Sequence, residues 1–158
     1  MTTARLTELG CNSCFREDYS HRFSKDDFTK CDGQHLFVGA KERRSNVFAC
    51  GAFAPREFVM TSTPLNQPQT YNGVHWYNTP EVSFGYCDSK EDNIVQDPID
   101  RRVTTYVESR LSWNLDSPSG NGGGRAGSSF PRSDDYQKWS MIMYSCPGMS
   151  PATQYQLH

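Results

Sequence analysis

The chemistry in this chain is densest in "RLSWNLDSPSGNGGGRAG", Arg110 to Gly127. An indole at Trp113 could stack on the apolar C–H face of a sugar ring. Asn114 and Asp116 could exchange hydrogen bonds with neighbouring hydroxyls, and the planar fork of Arg125 could fix two oxygens together. The run Gly122 to Gly124 would let the backbone come close to a ligand. "HWYN" repeats the pattern, offering Trp76 and Asn78 to the same kind of ligand. A plainer reading competes with this one. In a strand, Leu111 and Trp113 share a face, so Trp113 would be core and the glycine run a hairpin connection.

Three other constellations carry less. Cys11-x2-Cys14, followed by His21 and Cys31, could hold zinc tetrahedrally, but the second ligand pair is too loose for a zinc motif. A disulfide-stapled cap explains the same residues. The acidic run "CDSKEDNIVQDPID" holds Asp88, Asp92 and Asn93, which are possible oxygen ligands for calcium. Its spacing matches no EF-hand, so a solvated acidic loop is the preferred reading, with no metal and no other cofactor. For catalysis there is no G-x-S-x-G, H-E-x-x-H or phosphate-cradling loop. Cys50, inside the apolar "VFACGAF", reads as buried or bridged rather than nucleophilic. Paired carboxylates leave no local signature, so a small hydrolase is kept as a third reading.

The elements that must position these residues follow from composition and pattern. The chain has 158 residues, about one domain's worth. With an apolar fraction of 35% and aromatics at 13%, Phe, Tyr and Trp must carry much of the core. The formal net charge of −2 lacks the basic excess of a nucleic-acid binder, so Arg43-Arg44 and Arg101-Arg102 read as solvated turn residues. No apolar run approaches the ~18 residues of a membrane span. "MTTARLTELG" has no signal-peptide apolar stretch, so the chain is either cytosolic or begins as a processed form. Six cysteines favour the latter: a disulfide framework and a secreted, extracellular setting. The expected pairing joins Cys11 or Cys14 to Cys31, the other of the two to Cys146, and Cys50 to Cys87.

Phe15, Tyr19 and Phe23 lie four residues apart, which predicts an irregular or helical N-terminal cap, with Ser24 capping a short turn through Phe28. From His35 onward, "HLFVGA", "NVFACGAF", "EFVMTST", "GVHWYNT", "VSFGYC", "RRVTTYVESRLSWNL" and "KWSMIMYSC" read as strands separated by Gly, Pro and Asn-Gly turns. Roughly seven or eight short strands argue for an all-β antiparallel sandwich, jelly-roll-like, with a short, partly helical disulfide-tied cap. Residues 1–34 would form the cap and 35–158 the sandwich, as one domain. The leading function is non-enzymatic recognition of carbohydrate or glycoprotein by a lectin-like module, with Trp113, Asn114, Asp116, Arg125, Trp76 and Asn78 at its site. The alternative is a structural or self-assembling extracellular protein, with the polar chain ends docked on the body or on another copy in a homo-oligomer.

Overall fold

A computed structural model describes residues 1–22, 24–64, 67–79, 83–88, 111–114, 123–127, 129, 131 and 134–149. The fold is mostly β, in two antiparallel sheets with few helices. Sheet I has the order β1-β9-β2-β3, from Asn12–Asp18, Trp139–Cys146, His35–Glu42 and Cys50–Pro55. Sheet II has the order β4-β5-β6-β7-β8, from Gln69–Tyr71, Val74–Thr79, Ser83–Asp88, Leu111–Asn114 and Gly123–Ala126. The described strands β4 to β8 follow one another within one sheet, whereas a jelly roll sends successive strands to alternate sheets. Asn72 and Gly73 both take positive φ, at 50° and 77°, and make the tight turn between β4 and β5 that Asn-Gly predicts.

Alternation along the strands builds the core. Leu36, Val38 and Ala40 of β2, Ala52 and Ala54 of β3, and Met141 and Met143 of β9 face Trp76, Phe84, Tyr86, Leu111 and Trp113 of sheet II in one buried cluster. Small residues on sheet I leave room for rings on sheet II. The other face of sheet I is apolar as well, so β2 is a nearly unbroken apolar run. There Phe37, Phe48, Phe53 and Ile142 pack with Leu6 from helix α1, Thr3–Glu8. The Phe37 ring lies across Gly51, where an added Cβ would meet its Cζ at 2.2 Å. Six residues are too few for a stable free helix. α1 is instead held by Leu6, by a cap bond from Arg5 N–H to Thr2 Oγ1 (3.1 Å) and by two backbone bonds, Thr3 N–H to Asn46 O and Phe48 N–H to Met1 O, each 3.0 Å.

Several expectations are corrected here. The Phe15–Tyr19 segment is not helical: Asn12–Asp18 is strand β1, paired with β9, and both aromatics join the shared core. A spacing of four fits the helical period of 3.6, but it is also twice the strand period, and the available edge of β9 decides between them. "EFVMTST" is not a strand, since Arg56–Met60 forms the short helix α2 directly after Pro55. The turn after Ser24 is as read: Lys25–Phe28 is a 3-10 turn, with Ser24 N–H donating to Asp27 Oδ2 at 3.0 Å.

Two disulfides form, Cys11–Cys146 and Cys14–Cys31, as expected for the cap. They rule out zinc on Cys11, Cys14 and Cys31, because a disulfide sulfur is no longer a thiolate ligand. The Cys50–Cys87 bridge does not form, and Cys50 carries a buried free thiol. Cys50 lies on the inner face of sheet I, whereas Cys87 stands in sheet II, paired with His75.

Candidate functional site

The residues singled out by type separate on folding. Trp113 is fully buried, stacked on Phe84 at 5.3 Å and flanked by Phe28 and Phe15, with its Nε1–H donating to Tyr19 Oη at 3.4 Å. It presents no ring face to solvent. Trp76 is buried against Tyr86, with centroids 4.9 Å apart. Asn78 is only 2% exposed and acts as a clasp: its Nδ2–H donates to Val59 O at 2.9 Å, and its backbone exchanges bonds with Thr63. These bonds fix α2 and the chain after it to β5. Arg125 is also 2% exposed; its Nε–H donates to Gly127 O (2.9 Å) and its carbonyl accepts from Tyr19 Oη (2.8 Å). Its cross-strand partner is Ser112, out of phase with Trp113. Asn114 ends β7 opposite Ser83. Asp116 lies outside the described residues, as do Asp92 and Asn93, while Asp88 ends β6 opposite Val74.

Around Cys50 these residues form an interior polar seam. Tyr86 Oη–H donates to Val38 O at 3.1 Å, which ties sheet II to sheet I, and Tyr19 ties β1 to Arg125 of β8. Burial pushes the Cys50 thiol up to about 11, against hydrogen bonds with Tyr86, Ala40 and Gly127 that pull it down. Burial likewise raises Tyr19 and Tyr86. Cys50 therefore has neither the exposure nor the lowered pKa that reactive cysteines share.

Two open clefts lie at opposite ends of the β2–β9 pair. At the end where β2 begins, a groove is lined by Gly10, Asn12, Asp32, Gly33, Gln34, Ser145, Cys146, Pro147 and Gly148. The Cys11–Cys146 disulfide borders it. Cys146 forms part of its wall, and Cys31 immediately precedes Asp32. Gly33 N–H donates to Ser145 Oγ at 3.3 Å. An added Cβ at Gly33 would lie 2.7 Å from Cys146 N and O, so only glycine permits this approach of backbone to backbone. Gly10, at φ 84°, closes α1 and turns the chain into Cys11. The groove therefore presents two amides, one carboxylate, one hydroxyl and bare glycine backbone on a covalently fixed frame. Beside it His35 accepts from Met149 N–H at 3.3 Å, and burial lowers its pKa.

Type-based reading missed these residues. The signal was present: "GCNSC", "CDGQ" and "SCPG" each join a half-cystine to small polar residues and glycine. The pairing then brings the three together. No family model matches the chain, and no curated protein or solved structure matches it.

Proposed function

We propose that this protein is a non-enzymatic recognition module of an oxidising, extracellular setting, which holds carbohydrate in the groove at the disulfide end of sheet I. The observation that carries the reading is the gathering of Asn12, Asp32, Gln34 and Ser145 in one groove whose wall includes the half-cystine Cys146 and whose Asp32 directly follows the half-cystine Cys31. Sugars offer many hydroxyls and little apolar surface. Their recognition needs amides and carboxylates fixed in place before binding, because ordering them at binding costs affinity. Disulfides of this kind persist where thiols are oxidised. Asp32 is the only carboxylate lining the groove among the described residues, whereas hydrolysis of a glycosidic bond by the usual route uses two. No aromatic ring among the described residues lines the groove, so affinity here comes from hydrogen bonds and is modest per site.

The test is a panel of immobilised neutral glycans probed with the parent protein and with Asn12→Ala and Asp32→Asn. Asp32→Asn should weaken capture at least about tenfold, the worth of one charge-assisted hydrogen bond, and Asn12→Ala should weaken it less, both with an unchanged melting temperature. Capture of no neutral glycan, or equal capture by parent and variants, would end the groove reading.

A further inference from the structure

At the other end of the same strands lies a cleft of about 500 Å³, walled by Glu42, Arg43 and Arg44 after β2 and by Asp134, Gln137 and Lys138 before β9. All six residues are exposed. The walls are fixed to each other by Arg43 N–H donating to Lys138 O at 2.6 Å. Beneath them, Lys41 is only 4% exposed, and its ammonium donates to Arg43 O at 3.3 Å. Among the described residues, the ion pairs are Arg5 with Glu8 and His21 with Glu17 and Asp27. The cations Arg43, Arg44 and Lys138 enter none of them, although two carboxylates line the same cleft. Burial and then the charge of Arg16 pull the Lys41 ammonium down.

We propose that this cleft binds the anionic substituents, sulfate or carboxylate, of an acidic polysaccharide. The proposal rests on the carbohydrate reading above and names the class of glycan. Guanidinium forks match the paired oxygens of sulfate and carboxylate. The mixed lining makes the choice between polyanions. Glu42, Asp134 and Gln137 suit the hydroxyls that an acidic sugar carries beside its charge. The same carboxylates and the chain's net charge of −2 oppose every polyanion, and most of all nucleic acid, which presents one charge per ~1.7 Å of duplex and few hydroxyls to offset the repulsion. Arg43 and Arg44, read from sequence as solvated turn residues, thereby gain a ligand.

The experiment measures binding of a fluorescent sulfated dextran oligosaccharide, a polyuronate oligosaccharide, uncharged dextran of equal length and a single-stranded DNA oligomer. The proteins are the parent, Arg43→Gln with Arg44→Gln, and Lys138→Gln alone, each with its melting temperature. The parent should bind a charged glycan with an affinity that falls as salt rises. The double variant should weaken this at least about tenfold, and Lys138→Gln less, with melting temperatures unchanged. The sulfated and polyuronate arms distinguish the two anion sources. Binding of neither charged glycan, equal binding by parent and double variant, or equally tight and equally arginine-dependent binding of DNA would each overturn the proposal. Asp32→Asn separates the two readings. If neutral glycans fail while the arginine-dependent charged arm holds, the groove falls and the cleft stands. If neutral glycans bind through Asp32 and charge adds nothing, the cleft falls alone.

Discussion

The two ends of the β2–β9 pair use the same strands and hold them differently. Across the eight residues of β2, at ~3.3 Å each, they lie about 25 Å apart. At the His35 end, two cystines and a glycine-only contact fix the backbone, and the groove side chains are short and carry one charge. At the Glu42 end, the fixing is one backbone hydrogen bond and one lysine, and the side chains are long and charged. A covalent frame suits directional hydrogen bonds that tolerate little motion. A looser frame suffices for charges, whose attraction falls off slowly with distance.

Removing Cys11–Cys146 with paired serines should break this comparison hardest. The bridge spans 135 residues and, by loop entropy, should contribute about 5 kcal/mol, against about 3 kcal/mol for Cys14–Cys31, which spans 17. Urea unfolding of the two double variants should keep that order. Under folding conditions the first should lose the groove before the cleft. The reverse order in either measurement would mean that the frame is not covalent in origin.

Trp113→Ala belongs to neither end and should loosen both alike. It leaves a cavity among Phe15, Phe28 and Phe84 and should cost ~3–5 kcal/mol by chemical denaturation. A loss below about 1 kcal/mol would remove Trp113 from the core.

Alkali should also act on both ends together, through the seam. Folded, Cys50 keeps its proton to about 11; unfolded, it ionises near its ordinary 9.0. Between those values the folded state binds more protons, so stability is full below about pH 9 and falls as pH rises toward 11, by roughly 2–3 kcal/mol. Tyr19 and Tyr86, raised by burial, carry the loss further upward. Unfolding midpoints at stepped pH should decline in the parent from about pH 9 and in Cys50→Ala only later. Identical curves would clear Cys50.

The smallest effects sharpen the contrast between the frames. Gly33→Ala forces a Cβ against the Cys146 backbone and should cost about 1–3 kcal/mol. Lys138→Ala keeps its backbone bond to Arg43 and should stay within ~0.5 kcal/mol. Thermal melts of the two side by side would show whether the ends differ as described.

Much of this fold was legible from the chain. Six of the runs read as strands contain or overlap β2, β3, β5, β6, β7 and β9, because apolar residues bounded by turn signals leave little choice. Asn72-Gly73 fixed its own turn. β1 was not legible, since Phe15 and Tyr19 satisfy two periods and only the partner strand selects one. α1 is short and polar, and its signals, Thr2 at one end and Gly10 at the other, gain meaning only once Leu6 has an apolar sheet face to enter. At the site, residue type pointed to Trp113, Trp76, Asn78 and Arg125, which folding uses as core, clasp and seam. Aromatic and planar polar groups are as useful for packing and stitching as for binding, and type alone does not separate the uses. The groove residues are individually ordinary, and pairing of the cysteines is what assembles them.

Cys11–Cys146 turns everything between those two residues into a covalent ring. Once α1 and Met149 have come away from their contacts, a pull applied through the chain before Cys11 and after Cys146 travels through one sulfur–sulfur bond and bypasses the strand ladders between them. A protease cut at one point inside the ring leaves both fragments joined, so the nicked molecule keeps its parts together until a reductant opens the bridge. The bridge makes the domain a mechanical link that carries load past its own fold.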